Sequence, residues 1–581
     1  MNLEKYQQYS RIARGLEKAD LVLKDARIVN VFTEEIIRGD IAIQDGIIAG
    51  IGSFHGKEER DLAGRYVCPG FIDSHLHLES TLVTPAELVT AASRHGTTTF
   101  IVDPHESANV SGLAGIDYIL DQTEDVKANV YVMMPSCVPA TAIDDNGCTL
   151  TAEDMAPYLH NSRILGLGEV MDSISVVQGE KSMHDKLELF EGRIRDGHAP
   201  FLEEGDLQAY AMAGIATDHE CSFFDYAMRE RRNGLTILVR EGSAARNLEA
   251  LVGGLVQRHM NGDGFCFCTD DKHIEDIQRE GHIDHNVRKA IRLGMNPISA
   301  IKMATINAAK HFRLEDKIGS VAPGRFADIL LIDDLTTMKP KLVLKSGRIV
   351  ADENGARPVP EKAYPEKLFD TVHIGADFSA EKFIIHSEGK RAKCRVIDLI
   401  KDQIINKEIF EWMDVKEGQI AADVDRDILK LAVVERYGKN GRVSTALVHG
   451  FGLKQGALAA SVSHDHHNIV VVGTNDRDMA VCVEKLQELH GGFVSAVEGQ
   501  VVDALALPLG GLMSTLPAKT VMKRMDEMNG AVEKMGCPMK APFMSLSFIS
   551  LPTVPELGLT DFGLIDVLGH QIIDMIVETE A

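Results

Sequence analysis

The chain has 581 residues, which at roughly 100–200 residues per domain leaves room for two to four domains and excludes a single small module. Hydrophobic residues make up 45% and charged residues 25%, an ordinary globular composition that excludes a disordered chain. With 61 Lys+Arg against 86 Asp+Glu the net charge is −25, the wrong sign for neutralising phosphates, so nucleic acid is not an expected partner.

The N-terminal stretch MNLEKYQQYSRIARGLEKAD carries no apolar signal core, and no run of about 18 apolar residues follows it. The expectation is a soluble, cytoplasmic protein with no membrane partner. The 9 cysteines, spread from Cys68 to Cys537, are odd in number and fit a reducing compartment better than a disulfide framework. The segments ADLVLKDARIVN and DIAIQDGIIAGIG alternate apolar and polar residues around Asp-Gly and Gly breaks, the hairpin pattern of a small β-domain. Similar text returns as FADILLID and KPKLVLKSGRIV. The reading is therefore one composite β-sandwich from residues 1–65 and 319–355, with a second domain inserted between its halves.

Over residues 66–318 the pattern becomes strand–helix alternation. The candidate strands are YVCPGFIDSH, TTTFIVD, NVYVMM, ILGLGEV, a weak one ending at GRIRDGH, GIATDH, LTILVR and GFCFCTD. Helical stretches such as TPAELVTAASRH separate most of them. Eight such units in about 250 residues predict a (β/α)8 barrel. DENGARPVPEKAYPEK then reads as a linker, assigned to residues 356–369, and residues 370–581 as a separate C-terminal α+β domain.

Chemistry in such a barrel sits at the C-terminal ends of its strands. Those ends offer His75 and His77, then Asp103 and His105, Glu169, His198, His219, Arg240 and Asp270. A lone histidine there is most simply a surface or capping residue. Four histidines and two carboxylates aimed at one mouth are different, because buried polar groups are costly unless something satisfies them, and a metal does so. His75-x-His77 has the period-2 spacing that puts both side chains on one face of a strand. His198 and His219 would hold a second ion on the opposite side, with Glu169 between them in strand order to bridge the two. Asp270, next to the first strand once the barrel closes, reaches the His75/His77 ion and would present a free oxygen for a proton.

The motifs CPGFIDSHLHLES, GLGEV, DGHAP, ATDHE, CTDD, NPISAIKMATINAAKHF and GSVAPGRFADILLID resemble the amidohydrolase superfamily of metal-dependent hydrolases. VDPHE, the glutamate of the fourth strand and SVSHDHHNIVVVG narrow the resemblance to the bacterial adenine deaminases, over almost the whole chain. It implies two divalent ions per subunit, manganese or iron with zinc also compatible, and adenine as substrate in purine salvage. A hydroxide shared by the two cations would attack C6, giving hypoxanthine and ammonia. The expected assembly is a homodimer. Many superfamily members bridge their metals with a carboxylated lysine on the fourth strand, yet no lysine occurs between Lys127 and Lys181. This points to a glutamate bridge.

On this reading His75, His77, Glu169, His198, His219 and Asp270 hold metal, and Asp270 accepts the proton of the nucleophile. A second carboxylate should serve the ring nitrogens or shuttle a proton. Glu106 and Glu220 are the candidates, each also able to orient a neighbouring histidine. Asp103, His105, Arg240 and His464 are further candidate substrate contacts. The run His464-Asp465-His466-His467-Asn468 reads as a turn reaching over the barrel mouth or as a polar structural loop. Cys266-x-Cys268 lacks a second pair and reads as small apolar packing in the barrel wall. The zinc base deaminases need H-x-E with P-C-x-x-C; the second motif is absent from the sequence, so that class is excluded. An amidohydrolase acting on a cyclic amide or N-acetyl substrate is the alternative, and a non-enzymatic scaffold conflicts with the complete ligand set.

Overall fold

The computed structural model describes residues 2–581 except 244, 401–404, 554, 555, 568 and 570. At its centre are eight short parallel strands: β1 Phe71–Leu76, β2 Thr97–Val102, β3 Asn129–Met134, β4 Ile164–Val170, β5 Ile194–Gly197, β6 Thr217–Asp218, β7 Thr236–Arg240 and β8 Phe265–Cys268. Strands β1 to β5 form one parallel sheet and β6 to β8 another. Two seams close them into a ring. Leu76 bridges Asp270 between β1 and β8, and Gly197 N–H donates to Thr217 Oγ1 at 2.9 Å between β5 and β6.

The strands are buried along almost their whole length, as parallel strands covered on both faces must be. Alternation then sorts their side chains. Cys266 and Cys268 point into the ring with Ile72, Ile101, Met133, Ile194 and Leu238, while Phe265 and Phe267 pack outward against the helices Leu248–Gln257 and Ile283–Arg292. The Cys-x-Cys pair is thus barrel packing, as expected.

The run YVCPGFIDSH, read as one strand, is two. Tyr66–Pro69 pairs with Ile329–Ile332 and with Ala19–Asn30, and the chain enters the barrel only at Phe71. The remaining strands of residues 19–61 and 329–356 join that same nine-stranded sheet. It curls so that one edge returns toward its middle, Ile47 bridging Phe326 just before Ile329–Ile332, around a shared core that includes Leu23, Ile28, Ile43, Ile329 and Leu344.

The segment after residue 356 is a strap lying on the barrel helices. Val359 N–H donates to Thr90 Oγ1 at 3.3 Å, Thr84 Oγ1 donates to Glu361 at 2.6 Å, and Gln122 Nε2 donates to the Ala363 carbonyl at 3.2 Å. It leads to an eleven-stranded sheet among the described residues, whose central strands Ile428–Val434 and Ile469–Gly473 are fully buried. Ala432, Val434, Ile469 and Val471 face the helix Asp476–Glu488. Leu431, Val433, Val470 and Val472 face the other way, into a cluster shared with barrel residues Leu82, Val83 and Ile277 and with Met525, Met528 and Phe543. The C-terminal domain therefore sits on the barrel mouth through a common hydrophobic core.

Candidate metal centre and active site

His75 is the penultimate residue of β1 and His77 follows the strand, with their Nε2 atoms 3.2 Å apart. Asp270 follows β8 at φ 56, a left-handed backbone that non-glycine residues adopt mainly at constrained sites. Its N–H bonds the His75 carbonyl at 3.0 Å, which registers the last strand against the first. Asp270 Oδ1 consequently lies 3.4 Å from His75 Nε2 and 3.1 Å from His77 Nε2. Glu169 reaches in from β4. Its Oε1 is 3.2 Å from His77 Nε2, and its Oε2 is 2.9 Å from His198 Nδ1 and 3.2 Å from His219 Nε2. One oxygen thus serves each histidine pair, the disposition a bridging ligand requires. All six side chains are buried.

Burial alone would raise the pKa of both carboxyls. For Glu169 the imidazoles of His219, His105 and His198 outweigh it and hold the group well below the ordinary carboxylate range. For Asp270, Arg240 and then His75 and His77 do the same. A cation is the natural partner of such a set, and the donors fit one. His198 Nε2 and both ring nitrogens of His105 are buried without a hydrogen-bond partner. The convergent groups offer imidazole nitrogen and carboxylate oxygen without thiolate, a set suited to manganese, iron or zinc.

The other expected residues fall into distinct places. Asp103 is fully buried behind Glu169, its Oδ2 accepting the Glu169 N–H at 2.8 Å. It braces Glu169 and does not line the cavity, so it is not placed to contact substrate as expected. His105 Nδ1 lies 3.2 Å from Glu169 Oε1 and lines the cavity. Glu220 and Arg240 form a two-point ion pair at 2.5 and 2.9 Å, and the same guanidinium donates to Asp270 Oδ2 at 2.8 Å. The second oxygen of Asp270 is therefore engaged rather than free, because β7 places Arg240 directly beside β8. Arg240 and Glu220 both line the cavity.

Glu106 and His464 line it too. The Glu106 carboxylate bonds His464 Nδ1 and His467 Nε2, across the boundary between barrel and C-terminal domain. The His464 ring stacks on Phe548, with centroids 4.2 Å apart and planes at 12°. Asp465, in the turn read as reaching over the mouth, lines the cavity, and so do Met171, Ala245, Phe548, Leu551, Thr553 and Asp271, which sequence reasoning did not find as site residues. The second aspartate of CTDD was a usable signal for Asp271, which accepts from Ser80 Oγ at 2.5 Å. Nothing local marks Phe548, Leu551 or Thr553; they reach the mouth only through docking of the C-terminal domain.

A parallel barrel with a histidine- and carboxylate-lined mouth and a buried glutamate shared by two histidine pairs defines a metal-dependent hydrolase of the amidohydrolase class. Residues 66–350 match the amidohydrolase family and residues 403–571 match the adenine deaminase C-terminal domain. The chain is 46% identical to an adenine deaminase of Desulfitobacterium hafniense strain Y51, covering 99% of each chain. It is also 46% identical to an adenine deaminase of Desulforamulus reducens, covering 98% of each. Among solved structures, a β-aspartyl dipeptidase from Fervidobacterium islandicum AW-1 aligns at 15% identity over 58% of this chain and 99% of that one, with a TM-score of 0.45. The chain belongs to the adenine deaminase family.

Proposed function

We propose that this protein hydrolyses adenine to hypoxanthine and ammonia at the barrel mouth, with a place in purine salvage. The observation that carries the reading is the likeness to adenine deaminases along the whole chain, C-terminal domain included. His75, His77, Glu169, His198, His219 and Asp270 would hold two divalent cations, manganese or iron, with zinc also compatible with the donor set. When bound, such cations lower the pKa of water and supply a nucleophile at neutral pH.

The chain's own groups do the rest. Asp270 accepts the proton released as water adds at C6, through the oxygen that Arg240 holds in the cavity, and passes it to the departing amine. Loss of ammonia requires that protonation, since a bare amide ion is a very poor leaving group. Phe548, Leu551 and Met171 offer apolar surface to the flat faces of a purine. His464, Asp271 and Glu220 offer polar groups to its edges. Glu220 is pinned by Arg240, so His464, with Glu106 behind it, is the better placed group to exchange a proton with a ring nitrogen. Hydrolysis of a cyclic amide or N-acetyl group on the same barrel would leave the C-terminal roof without a role.

The test is ammonia release from adenine by protein loaded in turn with manganese, iron and zinc. One hypoxanthine per ammonia is expected; protein with two bound ions and no release under any metal would sink the reading. We further infer a cytoplasmic homodimer. All 9 cysteines are free thiols, as in a reducing compartment. Phe201 and Phe223 are 53% and 62% exposed with ring centroids 6.1 Å apart, an apolar patch that self-association would cover. Sedimentation analysis checks the dimer.

A further inference from the structure

Glu106 is 1% exposed and His467 is fully buried, yet they come from positions 361 residues apart. Both oxygens of the Glu106 carboxylate are taken by imidazoles of the C-terminal domain, Oε1 by His464 Nδ1 and Oε2 by His467 Nε2. The spacing of these three ligand atoms would also suit a metal ion. The backbone decides between the two uses. Ser463 N–H donates to His467 Nδ1 at 3.2 Å, so Nδ1 presents its lone pair and the single proton of the neutral ring sits on Nε2. That Nε2–H donates to Glu106 and has no lone pair to offer a cation.

The turn that carries out this arrangement is itself anchored. His467 has φ 49, which folds the chain back so that its ring meets the Ser463 N–H. Ser463 Oγ bonds Ser550 Oγ at 2.8 Å, and His464 N–H donates to the Ser547 carbonyl at 2.9 Å. The His464 ring plane is fixed by Phe548. With Nδ1 directed at Glu106, its Nε2 is the nitrogen left for the cavity that His464 lines.

We propose that His467 is a positioning residue for the deamination: its Nε2–H holds Glu106, and Glu106 in turn fixes the orientation in which His464 meets the purine. This rests on the reading above in which His464 contacts the substrate edge. A carboxylate held at one oxygen only would be free to rotate away from His464 Nδ1, and the imidazole would lose its defined donor and acceptor ends.

The test compares His467→Asn with His467→Gln in the metal-loaded full-length protein. A glutamine amide reaches the place of the imidazole Nε2–H and an asparagine amide does not, while both are polar and smaller than histidine. His467→Asn should lower kcat by about tenfold or more, the usual scale for removing a partner that orients an active-site group. Its kcat–pH profile should shift, with bound metal and Tm held near wild type. His467→Gln should recover most of the lost turnover and restore the profile. Equal kinetics in the two variants, whether normal or impaired, overturn the proposal. Loss of a metal equivalent from His467→Asn alone overturns it in favour of a third cation. The tautomer is read separately by 15N NMR of histidine-labelled, zinc-loaded protein. An Nε2–H ring that disappears in both variants is expected; an Nδ1–H or metal-bound His467 refutes the cradle. If wild-type protein releases no ammonia from adenine, the substrate reading fails, and the tautomer still decides the cradle.

Discussion

Asp270 and Glu169 carry different burdens although both are buried carboxylates among the same histidines. Asp270 is held by Arg240 on one oxygen and faces His75 and His77 with the other. Asp270→Asn keeps the shape and loses the proton acceptor, so turnover should fall by at least about 10²-fold, the scale of general-base loss, while much of the metal remains. Near-normal turnover by steady-state assay would remove Asp270 from proton transfer. Glu169 touches both histidine pairs, so Glu169→Gln should lower metal content toward one ion per subunit and abolish activity. Elemental analysis giving two ions in an active variant would refute the bridge. At this scale the sequence was most legible where period-2 spacing or a strand end put a titratable group at the mouth, as with His75 and His77. It was least legible where a neighbour sets the role. Arg240 on Asp270, and Asp103 beneath Glu169, depend on which strands lie side by side.

The strand β4 shows how an element positions a site. ILGLGEV has glycine where its neighbours come closest. A Cβ on Gly168 would lie 2.2 Å from Asp103 Oδ2, the same oxygen that accepts the Glu169 N–H. Gly168→Ala should therefore displace Asp103, destabilise the fold by about 1–3 kcal/mol as overpacking does, and reduce metal affinity. Unchanged denaturant midpoint and metal content would show that Asp103 yields without consequence. The strands β5 and β6 are only 4 and 2 residues long; the pattern of β5 was weak in the sequence because periodicity needs several residues to register. The YVCPGFIDSH run was misread as one strand for a related reason. Apolar text continues across Pro69-Gly70, and only pairing partners show that its two halves belong to different sheets.

Across the whole molecule, the C-terminal domain shares one hydrophobic core with the barrel. Truncation after residue 369 would expose Leu82, Val83 and Ile277 along with the rest of that surface, and should give aggregated protein without adenine turnover. A soluble truncated barrel that deaminates adenine would reassign the domain to assembly alone. The docking seam also carries a pH dependence. Burial, then Asp465 and Asp145, push the Asp144 carboxyl up to about 7; burial and Asp145 push Asp561 up to about 7. Asp145 N–H ties the two sides by donating to Asp561 Oδ1 at 2.9 Å. A folded-state pKa above the unfolded value of about 3.9 contributes stability that is complete below that value and is lost as pH rises through about 7. Tm by calorimetry should fall between about pH 5 and about pH 7 and level off above it, and Asp144→Asn should flatten the decline. An unchanged slope in that variant would exclude Asp144 as a source.

What the sequence by itself determined is whatever local spacing encodes. The strand–helix alternation, the strand-end histidines and carboxylates and the lack of a lysine on β4 were all readable because neighbouring residues carry them. The tertiary structure alone decided what closes the cavity. Phe548, Leu551 and Thr553 over the histidine–carboxylate cluster, and the clasp of Glu106 by His464 and His467, join positions hundreds of residues apart. Those contacts exist only because a buried hydrophobic surface draws the second domain onto the first, and no periodicity in either segment reports that.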